Sequence, residues 1–446
     1  MTYVRTRIAP SPTGRMHIGT VRTALFNYLF AKHHGGTYFV RIEDTDKERN
    51  KLEWVDAIWE DFAWCGLTPD EKYIQSEHLP RHRDLLHQLV NSGRAYVSKE
   101  PAKDDPSRVV EVVRLKNPGT RVTFADAIRG DVSFDTTELG DFVIARSIDD
   151  PLYHFAVVAD DGDAQVTHVL RAEEHISNTP RQILIQEALE LPRPIYGHFP
   201  LILAPDKSKL SKRKHAASIE IYRDQGFMPE ALINYLALLG WNPGTPQEMF
   251  SMEELIAQFS LEAVQKSGAV FDPQKLRWFN REYMKRLGVS TFVERATVEL
   301  SKNNIVDPSA VERIIPVLRE RAEVWSDVST LFSTTGELSF LATTTPTLLL
   351  EKITWKGEGR AVAANHLTHI LELLKGTDTE SWSTTESIKA LIWPYADSSG
   401  RGSVLWPLRY ALTGQEKSPD PFTVAHILGR EESIKRIESA LAILGE

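Results

Sequence analysis

Residues 3–9 mix β-branched and aromatic residues with polar ones, and the spacing predicts a strand. Pro10, Pro12 and Gly14 stop it, because proline lacks a backbone donor and fixes φ, so a preset turn follows. Val21, Ala24, Leu25, Tyr28 and Leu29 then recur at helical spacing until Gly35 and Gly36. Residues 37–43 alternate again as a second strand, and Leu52, Val55, Trp59 and Phe62 predict an amphipathic helix over 47–64. Another helix is expected from about Arg81. From Tyr96 to about Asp150 the rhythm breaks into short strand-like pieces, RVVEVVRL, RVTF, DVSF and DFVIAR, which predict a compact α+β insertion. HFAVVADD and THVLRAEE read as two buried strands with acidic outlets, and Thr179-Pro180 marks the start of the next helix. PLILA reads as a further short strand, GFMPEALINYLALLGW and FDPQKLRWFNREYM as helices, and the chain is helical nearly throughout from about 306. Strands alternating with helices predict an open parallel sheet followed by helical domains.

Composition narrows this picture only slightly. A chain of 446 residues, 42% hydrophobic and 25% charged, is expected to form about two to four globular domains. No apolar run approaches the ~20 residues of a membrane span, and no signal-like segment precedes the first strand. The expectation is a soluble, cytoplasmic protein without membrane contact. The single cysteine, Cys65, excludes an internal disulfide and a multi-cysteine metal site, and reads as a small buried residue. A net charge of −9 is awkward for RNA binding, which relies on Lys and Arg. From residue 306 on there are 14 Lys and Arg against 19 Asp and Glu, so RNA would have to be met by local patches.

The candidate chemistry gathers at strand ends. His17 and Gly19 fall at a helix N-terminus, where free N–H groups attract a phosphate; an ordinary cap is the competing role. Glu43, at a strand's carboxyl end, suits a cation, or it caps the following helix with Asp44 and Asp46, the role preferred for Asp46. Arg171 either pairs with its neighbours Glu173 and Glu174 or grips a carboxylate bidentately, with Tyr153 expected at a strand entrance nearby. Lys207, Lys209, Lys212, Arg213 and Lys214 crowd one loop, as a solvated run or a generic patch for anions.

PSPTG, two residues, then HIG, with RIEDTD soon after and KLSKR far downstream, resembles the glutamyl-tRNA synthetases of the class I aminoacyl-tRNA synthetase family. GDVSFDTTELGDFVIARS, GFMPEALINYLALLGW and WPLRYALTG resemble the same family, so the likeness spans nearly the whole chain. It implies an α/β Rossmann-like catalytic domain with an α+β insertion, followed by a mostly helical tRNA-binding half. The parts would be residues 1–80 and 151–205 for the catalytic fold and 81–150 for the insertion that grips the tRNA acceptor end. Residues 206–305 would hold the KLSKR loop and the stem-contact helices, and 306–446 an all-helical anticodon-binding domain.

By the same resemblance His17, Gly19, Lys209 and Lys212 are catalytic. Arg7, Ala9, Ser11, Glu43, Tyr153, Val157 and Arg171 bind glutamate, with Glu43 on the α-amino group and the arginines on carboxylates. His17, Thr20, Glu174, Ile202, Lys209, Leu210, Ser211, Lys212 and Arg213 meet ATP, and Arg409 is the anticodon contact, or pairs with a neighbouring acid. The implied cofactors are ATP and Mg²⁺, with no metal site in the protein. The piece around EPAKDDPSR is shorter than in the family and lacks the Cys and His that bind zinc in some bacterial members, so no zinc is expected. The implied partners are L-glutamate and tRNA(Glu), for a monomer that activates glutamate once tRNA is bound. A ligase that also charges tRNA(Gln) and a non-catalytic tRNA-binding paralogue are the alternatives. A shorter queuosine-modifying relative lacks the helical tail, and nucleotidyltransferases with a His-x-Gly-His motif lack the other signatures.

Overall fold

A computed structural model describes residues 3–45, 50–102, 105, 107–210, 218–302, 308–342, 346–378 and 380–445, the side chains of 308–310 excepted. The chain forms two compact units, Met1–Asn280 and Arg281–Glu446. The second begins ahead of residue 306, where the sequence rhythm places it, because Phe292 of helix Val289–Ser301 packs on Trp325 inside the helical unit, ring centroids 5.1 Å apart.

In the first unit β1 (Arg5–Ile8), α1 (Ile18–His33), β2 (Thr37–Ile42), α2 (Leu52–Trp64), β3 (Glu71–Ile74) and α3 (Leu79–Asn91) alternate. The insertion follows as β4 (Ala95–Pro101), β5 (Val109–Leu115), β6 (Arg121–Asp126), β7 (Gly130–Asp135), β8 (Phe142–Ser147) and β9 (Asp150–Pro151). The chain returns through α4 (Tyr153–Asp163), β10 (His168–Ala172), α5 (Thr179–Ala188), β11 (Ile195–Phe199) and β12 (Ile202–Leu203). One seven-stranded sheet runs β3-β2-β1-β10-β11-β6-β7, parallel except for the β6–β7 hairpin. From β1 the chain winds outward to β2 and β3, whereas β10 returns on β1's other side. The strand order therefore reverses between β1 and β10, and the crevice at their carboxyl ends is where such a sheet takes its ligand.

Three expectations need correction. HFAVVADD is helical, inside α4, so Tyr153 opens a helix rather than entering a strand. Residues 155–161 are all buried, so no polar face marks the period, and a short apolar run of that kind reads equally as strand or helix. The insertion is also not one piece. β4, β5, β8 and β9 form their own antiparallel sheet, while the β6–β7 hairpin extends the main sheet through the pair Tyr196↔Asp126 beside β11. Asp44 does not cap the helix that follows it: its carboxylate accepts from the Ser76 N–H at 2.8 Å and the Ser76 hydroxyl at 2.6 Å. Asp46 lies outside the described residues. β3 and β11 escape the sequence rhythm, the first for its brevity and the second because a strand buried on both faces shows no alternation.

The second unit is helical. Helices Arg360–Lys375, Arg401–Thr413 and Arg430–Gly445 pack around Leu367, Ile370, Val404, Leu408, Leu412 and Ile437, all fully buried.

Gly36 turns the chain from α1 into β2 against the edge of β1. A Cβ there would lie 2.1 Å from the Val4 carbonyl oxygen, which also accepts from Thr37 N–H. Gly36→Ala should cost about 1–3 kcal/mol, read as a downward shift of the first unit's melting transition; an unmoved transition would contradict this packing.

Candidate active site

The first signature folds as turn, cap and helix. Thr13 N–H donates to the Ser11 carbonyl at 2.9 Å, and Gly14 takes φ 150°, where side chains are disfavoured. His17 is the N-cap of α1, and its Nδ1 accepts from the Gly19 N–H at 3.0 Å. An imidazole that accepts at Nδ1 carries its proton on Nε2, so the capping bond also fixes the ring as a donor through Nε2. Capping and ligand recognition are thus compatible roles of one side chain.

The second signature begins as a tight hairpin. Ala204 N–H donates to the Ser208 carbonyl at 2.8 Å, Lys207 takes φ 63°, and Asp206 accepts from the Ser208 N–H and hydroxyl. The reversal pairs Lys209 with Leu203 and sends the Leu210 N–H to the Ile202 carbonyl at 3.1 Å. Lys207 is left exposed at the tip, while the Lys209 ammonium returns to an ion pair with Glu174. Ser211, Lys212, Arg213 and Lys214 lie outside the described residues. The chain re-enters at Ser218, whose backbone bridges His17, and Ile219 N–H donates to the Met16 carbonyl at 3.1 Å. The downstream flank of the lysine-rich segment is therefore tied to the first signature, and the upstream flank to β12.

One cavity of about 590 Å³ brings the remaining candidates together. Ala9 and Ser11 line it from the turn, His17, Gly19 and Thr20 from the start of α1, and Ile202, Lys209 and Leu210 from the hairpin. Arg7, Glu43, Tyr153, Val157, Arg171 and Glu174 complete the wall. Arg7 is buried, with Nε at 3.1 Å and Nη2 at 3.1 Å from the Asp161 carboxylate. Arg41, fully buried on β2 two residues before Glu43, reaches Asp161 at 2.6 Å and Glu43 at 3.1 Å. Asp160 accepts from Gln75 at 2.6 Å, Tyr73 at 3.1 Å and His82 Nε2 at 2.5 Å. Burial opposes the Asp161 charge, yet Arg7 and Arg41 hold its carboxyl below the usual range. Burial raises Glu43 against the pull of Arg41, and raises the Tyr153 hydroxyl with help from Glu43.

Arg171 is different. It is 6% exposed, and among the described residues no carboxylate pairs with it: Glu173 binds Arg129 and the Leu201 N–H, and Glu174 binds Lys209. Its own contacts are neutral, His198 Nε2 at 3.2 Å and the Thr179 hydroxyl at 2.9 Å, and its Nη1 is buried without a partner. Burial accordingly lowers its pKa. A buried cation without a counter-ion favours an anionic guest. Next to it His175 lies 3.4 Å from the Tyr153 hydroxyl, and burial together with Arg171 pushes its pKa down to about 4, so this ring is neutral at pH 7.

Residues 3–105 and 103–278 match the family model described as tRNA synthetases class I (E and Q), catalytic domain, and residues 281–441 match an anticodon binding domain. The chain belongs to this class I synthetase family. Its relatives include the glutamate–tRNA ligase 1 of Caldanaerobacter subterraneus, 36% identical over 100% of this chain and 99% of that one. The glutamate–tRNA ligase of Moorella thermoacetica is 38% identical over 99% and 98%. Among solved structures, a glutamate tRNA ligase from Elizabethkingia meningosepticum in complex with its amino acid has a TM-score of 0.86 at 31% identity, covering 99% of each chain. The catalytic match of this class I synthetase breaks at 103–105, inside the EPAKDDPSR piece that reads as short. The anticodon match starts at Arg281, where the second unit also begins.

Sequence reasoning missed Arg41, Asp160 and Asp161 as parts of the site. The available signal for Arg41 was its spacing of two from Glu43, which puts both side chains on one face of the strand. Asp161→Asn leaves Arg7 and Arg41 without the carboxylate they share, and should cost about 3–5 kcal/mol of unfolding free energy. Because the folded pKa of Asp161 lies below its ordinary value, its contribution is complete above about pH 4 and is lost only as the pH falls through the folded value. Urea denaturation should therefore show the same loss at pH 6 and pH 8; a loss under about 1 kcal/mol would mean that the cluster is not held by this carboxylate.

Proposed function

We propose that this chain is a glutamate–tRNA ligase, which uses ATP to activate L-glutamate and passes the glutamyl group to the 3'-terminal adenosine of tRNA(Glu). The observation that carries this reading is the buried Arg171 guanidinium, without a carboxylate of its own, in the cavity lined by His17 and Lys209. A substrate carboxylate would supply the missing anion, and glutamine, lacking that charge, would leave the site uncompensated. In this reading Arg7, Tyr153 and Arg171 hold the carboxylates, Glu43 takes the α-amino group, and Ala9, Ser11 and Val157 shape the pocket.

The chemistry asks for no protein nucleophile and no general base, since the substrate carboxylate is already an anion at neutral pH. It attacks the α-phosphorus of ATP, the bond to the β-phosphate oxygen breaks, and pyrophosphate leaves with its added charge. His17, Gly19, Thr20, Glu174, Ile202 and Leu210 position the nucleotide, while Lys209 and Lys212, with Ser211 and Arg213 beside them, neutralise the leaving group. Mg²⁺ arriving with the nucleotide would supply further charge neutralisation. Zinc has no part in this reading. The Lys209–Glu174 pair would have to exchange partners as the triphosphate enters.

In the helical unit Arg409 is the proposed anticodon contact. Its guanidinium lies 4.8 Å over the Trp406 ring and donates to the Glu416 carbonyl at 2.9 Å, and no acid of the described residues pairs with it. An arginine stacked on an aromatic ring suits an unstacked RNA base. The protein is proposed to act as a monomer in the cytoplasm.

Lys212→Ala should lower glutamyl-tRNA formation by more than about tenfold, equivalent to ~1.4 kcal/mol of barrier; survival within that limit would remove the lysine from the chemistry. Charging purified tRNA(Glu) and tRNA(Gln) in parallel should yield glutamyl-tRNA on the first. Product on both marks a non-discriminating ligase, and product on neither marks a non-catalytic tRNA-binding paralogue.

A further inference from the structure

Behind the cavity a chain of three buried side chains, Asp126, His198 and Arg171, crosses from β6 through β11 to β10, and the reading above gives its first two members no role. Arg171 commits Nε–H to His198 Nε2 at 3.2 Å, and Nη2 to the Thr179 hydroxyl at 2.9 Å and the His175 carbonyl at 3.4 Å. One edge of the guanidinium fork is therefore held by the protein, and Nη1, buried and unpartnered, is what remains for a guest. For His198 to accept at Nε2, its ring proton must sit on Nδ1. The Asp126 carboxylate requires that tautomer: Oδ2 lies 2.5 Å from Nδ1, and both side chains are fully buried. Its other oxygen is pinned by the N–H groups of Ile128 at 3.0 Å and Arg129 at 2.9 Å.

We propose that Asp126 and His198 are positioning residues for substrate selection: the carboxylate sets the imidazole tautomer, and the imidazole sets the rotation of Arg171 that presents Nη1 to a carboxylate of the bound amino acid. This rests on the reading of the cavity as a glutamate site. The charged and titratable groups facing His198 are Asp126 from β6, Arg129 from the turn after it, Arg171 from β10, His175 from the turn before α5, and Tyr196 on β11. Burial, with Arg171 and Arg129, outweighs the pull of Asp126 and holds the imidazole below the ordinary histidine range. Because Nε2 accepts from the Arg171 Nε–H, the ring is neutral, and its tautomer, rather than its charge, is what Asp126 controls. Asp126 reaches the site on the β6–β7 hairpin, the part of the insertion that joins the main sheet.

Asp126→Asn keeps the shape and the backbone acceptor but turns an amide N–H toward Nδ1, which moves the ring proton to Nε2, opposite the Arg171 Nε–H. In charging assays the KM for glutamate should rise by at least about tenfold, while the KM values for ATP and tRNA stay within about twofold. Selective ¹⁵N labelling of histidine should show the protonated nitrogen of His198 switching from Nδ1 to Nε2. His198→Gln places an amide oxygen near the Nε2 position without any tautomer to choose, so in that background Asp126→Asn should change the glutamate KM by no more than about twofold. A switched tautomer with an unmoved glutamate KM, or equal rises in the KM for glutamate and ATP, would overturn the proposal. Should Asp126→Asn not fold, His198→Gln against His198→Phe decides by the same KM split, and equal effects of the two overturn it. Failure of the native chain to charge any tRNA with glutamate would sink the functional reading instead, and the ¹⁵N signature of the native protein would still test the Asp126–His198 bond.

Discussion

A guanidinium buried without a counter-ion is the constraint around which this catalytic unit is arranged. Removing a charge from water is costly unless it is paired and hydrogen-bonded. Arg7 and Arg41 meet that cost inside the protein, through Asp161, Asp160 and Glu43. Among the described residues Arg171 has only neutral partners at its back, and an open cavity before it. The same low-polarity surroundings that make an unpaired cation expensive make its attraction for an incoming carboxylate strong and selective.

The fold explains how this charge comes to sit where a nucleotide can react with its guest. The strand order reverses between β1 and β10, so the loop bearing His17 and the end of β10 bearing Arg171 open into one crevice. The hairpin after β12 adds Lys209 to the cavity wall, and where the chain re-enters at Ser218 its backbone bridges His17. In the proposed reading, charge selection and phosphate neutralisation are served by residues distant in sequence that line one cavity.

Much of this was legible from residues alone. The turn formed by Pro10, Pro12 and Gly14, the helix after His17 and the second strand follow from local chemistry, and the structure agrees with each, the strand stopping at Ile42, one residue before Glu43. HFAVVADD misleads because a helix buried on all sides has no amphipathic face to reveal its period, and its β-branched valines favour the strand reading. The Asp161 pairing was illegible for a different reason: an arginine in a strand gives no sign of which distant acid neutralises it until the topology brings α4 over β1 and β2. The same holds for Asp126, which arrives from the insertion. Local text announces the groups that face a ligand more readily than the groups that hold them in place.

The central claim is most directly tested by calorimetric titration of the native protein with L-glutamate and with L-glutamine. The account predicts heat of binding for glutamate and an affinity for glutamine weaker by at least about 100-fold, because the amide leaves the buried cation unpaired. Equal affinities, or tighter binding of glutamine, would contradict it.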